Sequence, residues 1–509
     1  MASASNSICP IAVARVAPLP SWPRTVSPGA AITVVPVVNG EARRWFALAV
    51  GSLVIAGLLS LSVVLGRLPV LSGLIGDPLF FKRCLVVHVD LALVVWFYAF
   101  LAGLASMRAG RTTGRSGRLA FALAVSGVVA MLGGALMRGA QPVLANYVPV
   151  IDHPLFLGGL GAFFLGTLLF LLETLSSSTH PEASLIPRDA AIGLQAAAVA
   201  FVLAGATWIA TRTSLPEGLD TWTRHEFSAW GAGHVLQVAN AAAMVAVWLW
   251  LLARATARPV LSPSWAMVLF TALVAPHFAM PVLTARGALD PLYHSGATLL
   301  MRWGIFPIVL IVMAAGLRHL WRHRPTALGR SSDPLAGAAC AGFLASVSLT
   351  MLGFVLGACI RSSTTLVPAH YHACLGGVTV AFMAAAYLVC AAVRTRGSAI
   401  TTSAGIAILH APPSPLRSAR RQLILFGIGQ SIFALGFAIG GAYGLGRKAY
   451  AAEQHVRSAG ELVGLGVMGI GGLIATAAGL WFLALVLREM RGWWPRANVL
   501  PRFSSSATP

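Results

Sequence analysis

Apolar runs of about 20 residues recur along almost the whole chain, and this pattern restricts the fold more than any other feature. Twelve such runs can be read, at 45–67, 84–106, 118–138, 154–176, 189–211, 225–253, 264–285, 294–317, 334–360, 368–393, 421–446 and 461–488. Breakers such as Gly76-Asp77-Pro78, Ser262-Pro263 and Pro412-Pro413 stand between them. A backbone in lipid has to satisfy its own hydrogen bonds, so runs of this length are expected to be helices. The expected fold class is all-α, a polytopic membrane protein of twelve transmembrane helices. Only 10% of the 509 residues are charged, against about 25% in soluble proteins. Residues 1–43 are expected to be a flexible N-terminal tail, 44–490 the helical domain and 491–509 a C-terminal tail. The first 40 residues lack the ordered basic, apolar and small-residue regions of a secretory signal.

The net charge of +21 does not point to nucleic acid. The basic residues lie in short loops between apolar runs, not on one face of a soluble module. Charge placed this way sets orientation in a membrane. With the N-terminus inside, 24 of the 36 Lys and Arg fall on the inner side, many of them in MRAGRTTGRSGR (107–118) and RHLWRHRP (318–325). Both termini are therefore expected in the cytoplasm, with the chain threaded through membrane lipid. The six cysteines show no CxxC spacing and read as small buried hydrophobes.

Ionisable side chains inside a membrane are costly and generally functional. With direction assigned, depth follows from the helical rise of about 1.5 Å per residue. His88 then lies about 6 Å below the outer edge of span two, with His372 of span ten at similar depth and His370 half a turn shallower. His234 of span six is about 13 Å deep, and His277 of span seven about 12 Å from its outer end. Five histidines on four spans thus converge on the outer half of the membrane.

Two of them stand in PAHYHACLGGVTVAFM (368–383). Residues two apart on a helix differ by about 200° in direction. His370 and His372 therefore face nearly opposite sides and cannot chelate one ion together. Each can serve a different centre. His88 and His372 are placed to hold one haem iron from both axial sides, a saturated arrangement suited to electron transfer. His370 would hold a second haem from one side only. Its open face would look toward His234 and His277, which as neutral imidazoles can bind a second metal. Asp90 either orients a group or carries protons, or makes a plain salt bridge, and Gln237 and Asn240 are either interhelical hydrogen-bond glue or parts of a proton path.

The motifs AHYH (369–372), WGAGHVLQ (230–237), CLVVHVDLALVVWF (84–97), APHF (275–278) and GRKAY (446–450) sit on a twelve-span chain. In this set the chain resembles subunit I, the catalytic subunit, of the haem-copper oxygen reductases and the related nitric oxide reductases, over about residues 40–490. The tryptophan-containing approach to His234 is similar to that of the C-type oxidases. The resemblance implies a respiratory oxidoreductase of a bacterial-type inner membrane. Electrons from a partner subunit, or from a periplasmic cytochrome c or cupredoxin, would pass through a low-spin haem on His88 and His372 to a high-spin haem on His370. Copper or non-haem iron at His234 and His277 would complete the site, where O₂ is reduced. Arg447 and Lys448 would pair with haem propionates by charge-assisted hydrogen bonds.

The chain departs from the family at two places. The usual adjacent histidine pair of span seven is reduced to His277-Phe278, and neither HVLQVAN nor HFAMPVLTA contains the tyrosine of oxygen-reducing members. Reduction of two NO to N₂O needs fewer electrons, so nitric oxide reduction on the same scaffold is the alternative. Against it, Glu226 and Glu173 lie away from the expected site. With no CxxCH, the chain carries no c-type haem motif of its own. A subunit that has lost catalysis and a secondary transporter with histidine proton relays are further readings. The two similar halves typical of a transporter are not evident.

Overall fold

The computed structural model describes residues 32–34, 38–65, 77, 79–109, 114–176, 184–323, 333–394, 398–401, 407–409, 415–447 and 458–493. Among them are twelve helices long and apolar enough to cross a membrane. These are α1 (Gly40–Ser62), α2 (Phe80–Ala109), α3 (Arg115–Ala135), α4 (Pro154–Leu175), α5 (Arg188–Ser214), α6 (Thr221–Thr256), α7 (Pro263–Arg286), α8 (Pro291–Arg322), α9 (Pro334–Ala358), α10 (Leu366–Arg394), α11 (Leu416–Ala442) and α12 (Ala459–Met490). Each coincides with a span read from the sequence, so the all-α fold class holds. Most begin a few residues before the apolar run, because a polar residue caps them. Asp220, Ser262, Asp290, Asp333 and Ser458 each accept a backbone N–H of the first turn. Asn39 does the same for α1, accepting from the Ala42 N–H at 2.7 Å, so the helical part starts before residue 44.

Part of the expected tail is ordered by a distant partner. Ile32–Val34 form β1, which pairs antiparallel with β4 (Ser398–Thr401), and β4 pairs with β5 (Ala407–Leu409). The ladder ties the N-terminal segment to the α10–α11 connection, on the side where an even number of crossings must place both. Between α3 and α4, β2 (Gln141–Val143) and β3 (Val150–Asp152) form a hairpin.

Consecutive helices pack side by side, α3 with α4, α5 with α6, α9 with α10 and α11 with α12. Burial separates a centre from a periphery. The apolar windows of α6 and α10 are 83% buried and that of α2 is 72% buried, against 33% for α1, α3, α7, α8 and α12. The central helices are therefore those that bear His88, His234, His370 and His372. Polar ties join the central helices to their neighbours. Trp248 Nε1 donates to Ser346 Oγ at 2.7 Å, and the Tyr387 hydroxyl donates to Gln422 at 2.9 Å. The Tyr98 phenol of α2 donates to the Leu236 carbonyl of α6 at 3.3 Å. Outward, Leu119, Val282 and Leu473 are exposed, as a lipid-facing surface requires.

In the first turn of α2, the buried Arg83 donates to the Asp77 carboxylate just before the helix and, at 2.8 Å, to the Ala135 carbonyl. Hydrogen bonding from Arg83 holds the Asp77 carboxyl below its ordinary value of 3.8. A depressed carboxyl stabilises the fold above its unfolded pKa, and that contribution is lost as pH falls through the folded one. Asp77→Asn is expected to lower the thermal midpoint at neutral pH, and the gap to the native protein should close as pH drops below 3.8. A gap that stays constant down the pH scale would contradict this linkage.

Candidate functional site

Four of the five histidines share one hydrogen-bond arrangement. His88 Nδ1 lies 2.8 Å from the Ala56 carbonyl on α1, and His370 Nδ1 lies 2.7 Å from the Gly353 carbonyl on α9. His234 Nδ1 lies 2.8 Å from the Trp230 carbonyl and His277 Nδ1 lies 3.1 Å from the Leu273 carbonyl, each one turn earlier on its own helix. A carbonyl can only accept, so Nδ1 carries the proton and Nε2 the lone pair. This is how an imidazole is prepared to ligate a metal through Nε2, with tautomer and orientation set by the second bond. His372 is held differently. Its ring stacks on Phe437 at 5.3 Å and 6°, and meets the edge of Phe433 at 5.0 Å.

The rings fall into two neighbourhoods. His88 and His372 are close enough to interact electrostatically. So are His234, His277 and His294. Among the described residues nothing bonds the Nε2 of His88 or of His370. Although they sit on the central helices, His88, His370 and His372 all keep part of their surface accessible and so border open space. Their chemistry fits haem iron: aligned, neutral nitrogen donors with free lone pairs.

Helical irregularities mark the same places. In α2 a π-turn spans Asp90–Val95, starting two residues after His88. The Asp90 carboxyl is buried within it without a hydrogen-bond partner. In α8 a second π-turn, Met301–Ile305, brings Gly304 against His277, so closely that a Cβ there would lie 2.6 Å from Cε1. In α7 the stretch Ala275–Phe278 tightens into a 3₁₀ turn at Pro276, which has no N–H to give. π-bulges are frequent at functional sites.

The 3₁₀ turn decides what α7 offers. His277 points inward, 1% exposed, with its Nε2 buried and unpartnered. Phe278 is 53% exposed and faces away. The position of the family's second histidine is thus turned out of the site, and a histidine placed there would add no ligand. His294 does not replace it, because its Nε2 is spent on the Ala288 carbonyl at 3.0 Å and its ring packs on Trp230. Among the described residues no three His, Cys, Asp or Glu side chains gather to hold one ion. Of the donors expected for copper or non-haem iron, His234 and His277 come together here, and Phe278 adds none.

Sequence reasoning missed Tyr147. The search was for a tyrosine on α6 or α7, whereas Tyr147 comes from the tip of the β2–β3 hairpin, with its hydroxyl 3.0 Å from His234 Nε2. The available signal was the glycine pattern of WGAGH. A Cβ on Gly233 would lie 2.3 Å from the Tyr147 ring, and one on Gly231 would lie 1.9 Å from the Tyr293 hydroxyl. Burial pushes the Tyr147 phenol up, the Glu226 charge adds to this and Arg447 opposes it. Arg447 donates to the Asn146 side chain at 2.5 Å, so it braces this hairpin. Lys448 lies outside the described residues.

No family model matches the chain. An uncharacterized protein of Aquifex aeolicus (strain VF5) is 30% identical over 357 residues, which is 68% of this chain and 83% of that one. An uncharacterized protein of Rickettsia prowazekii (strain Madrid E) is 22% identical over 510 residues, 89% of this chain and 96% of that one. Among solved structures, the cryo-EM structure of a heme-copper terminal oxidase dimer matches with a TM-score of 0.67 at 16% identity, over 90% of this chain and 86% of that one.

Proposed function

This chain belongs to one family with the Aquifex aeolicus protein and has the fold of haem-copper oxidase subunit I, and on that premise we propose that it is the catalytic subunit of a membrane respiratory terminal oxidase. One observation carries the reading. On the two central helices α2 and α10, His88 and His370 hold Nε2 lone pairs free, with His372 close to His88. His88 and His372 hold the low-spin haem and His370 the high-spin one. Bound there, the two haems supply one-electron transfer and a site for a diatomic gas. The chain itself orients them. The Ala56 and Gly353 carbonyls fix which nitrogen each ring presents, and Phe433 and Phe437 wall His372 from one side. Electrons enter from a partner subunit or a periplasmic cytochrome c or cupredoxin, and O₂ is the acceptor. The chain lies in a bacterial-type inner membrane with both termini cytoplasmic.

Nitric oxide reduction is the second reading. The lack of a tyrosine in HVLQVAN and HFAMPVLTA supports it, because joining two NO takes two electrons where splitting O₂ takes four. The test is haem per chain by pyridine haemochrome on the purified protein, followed by CO binding after reduction. Two haems per chain, one of them binding CO, is the expected result, and O₂ and NO electrodes then decide between the readings. A haem-free, folded protein rejects both.

A further inference from the structure

We infer that Tyr147 stands in the place of the second metal, so that the wall facing the His370 centre is a metal-free phenol–imidazole pair. The inference deepens the oxidase reading above and rests on it for what the pair faces. Both nitrogens of His234 are in use. Nδ1–H donates to the Trp230 carbonyl at 2.8 Å, so Nε2 can only accept, and the Tyr147 hydroxyl at 3.0 Å donates to it. No lone pair is left for an ion. His277 offers a single free nitrogen and Phe278 none. His277 alone is then a single donor, too few to hold an ion that protein sites bind through several ligands.

The phenol is built into this position. Tyr147 has φ +68°, a left-handed backbone that a bulky residue rarely adopts. Such strain persists only where the surroundings impose it. Here the preceding residue is clamped. Glu226 of α6 accepts from the Asn146 backbone N–H at 2.8 Å and from its side-chain amide, while Arg447 donates to the Asn146 Oδ1 at 2.5 Å. Gly233 then leaves the notch that admits the ring, and Trp230 meets it edge-on at 5.8 Å. Glu226, which the sequence places away from the site, acts on it through this clamp.

The experiment is copper and iron content by mass spectrometry on the purified full chain, before and after incubation with Cu(I), with haem counted in parallel. The native chain is expected to hold no copper and no iron beyond its haem. Tyr147→Phe frees His234 Nε2 beside His277, and is expected to raise Cu(I) uptake at least tenfold with haem unchanged. Glu226→Gln, which loosens the clamp without removing the ring, should raise it by less, and it serves if Tyr147→Phe does not fold. Copper near one per native chain, lost in His234→Ala, overturns the inference. So does a Tyr147→Phe chain that takes up no more copper than the native one. Loss of the haem reading shows separately, as absent haem in the native chain, because metal content is read independently of it.

Discussion

Replacing His372 by alanine removes one axial donor of the low-spin centre and is expected to convert its six-coordinate spectrum or to lose that haem, leaving about one haem per chain instead of two. Turnover should fall by more than the ~10–100-fold that follows loss of an outer-shell partner of a metal ligand. The same holds for His88→Ala. The two differ in what they leave behind. His372 packs on Phe433 and Phe437 of α11, so its truncation opens a gap beside an aromatic wall. Added imidazole should enter this gap and restore the spectrum, as small rings fill engineered cavities. His88 is anchored to the Ala56 carbonyl of α1, so its removal also loses this tie between α1 and α2, a bond worth about 0.5–1.5 kcal/mol. Optical spectra and haem counts check this. An unchanged low-spin spectrum in both variants would remove these residues from the ligand set.

His370→Ala is expected to have the opposite spectroscopic effect. The low-spin signal should persist while CO binding to the reduced protein disappears, and turnover should fall to background. The ring is isolated from His372 by direction, since its Nδ1 donates to Gly353 on α9 while His372 packs on α11. On the proposed assignment the two histidines of AHYH serve separate centres, and mutations at the two positions should be separable. Simultaneous loss of both spectral components in either single variant would mean that the histidines share one centre.

Much of this arrangement can be read from residues alone. Hydrophobic length marks all twelve helices, and capping residues such as Asp220 and Asp333 explain why their ends lie just outside the apolar runs. The His370/His372 direction argument needs only the helical repeat. Other features are not local. Pro276 announces a disturbance in α7 but not its sense, and the 3₁₀ turn is what sends Phe278 outward and His277 inward. Arg447 donates to Asn146 of the distant β2–β3 hairpin, a contact that no local pattern in GRKAY reveals. β1 is formed by a partner in the α10–α11 connection, which no local pattern in the N-terminal segment reveals.

By itself the sequence determined the all-α membrane class and the number of helices. Those follow from hydrophobicity over runs of about 20 residues, which is a property of short segments. Only the tertiary structure decided which ring nitrogen each histidine presents, that Phe278 faces away, and that a strained tyrosine from a distant hairpin reaches His234. Each of these depends on a carbonyl, a glycine notch or a clamp supplied from elsewhere in the chain, and long-range packing alone brings such partners together.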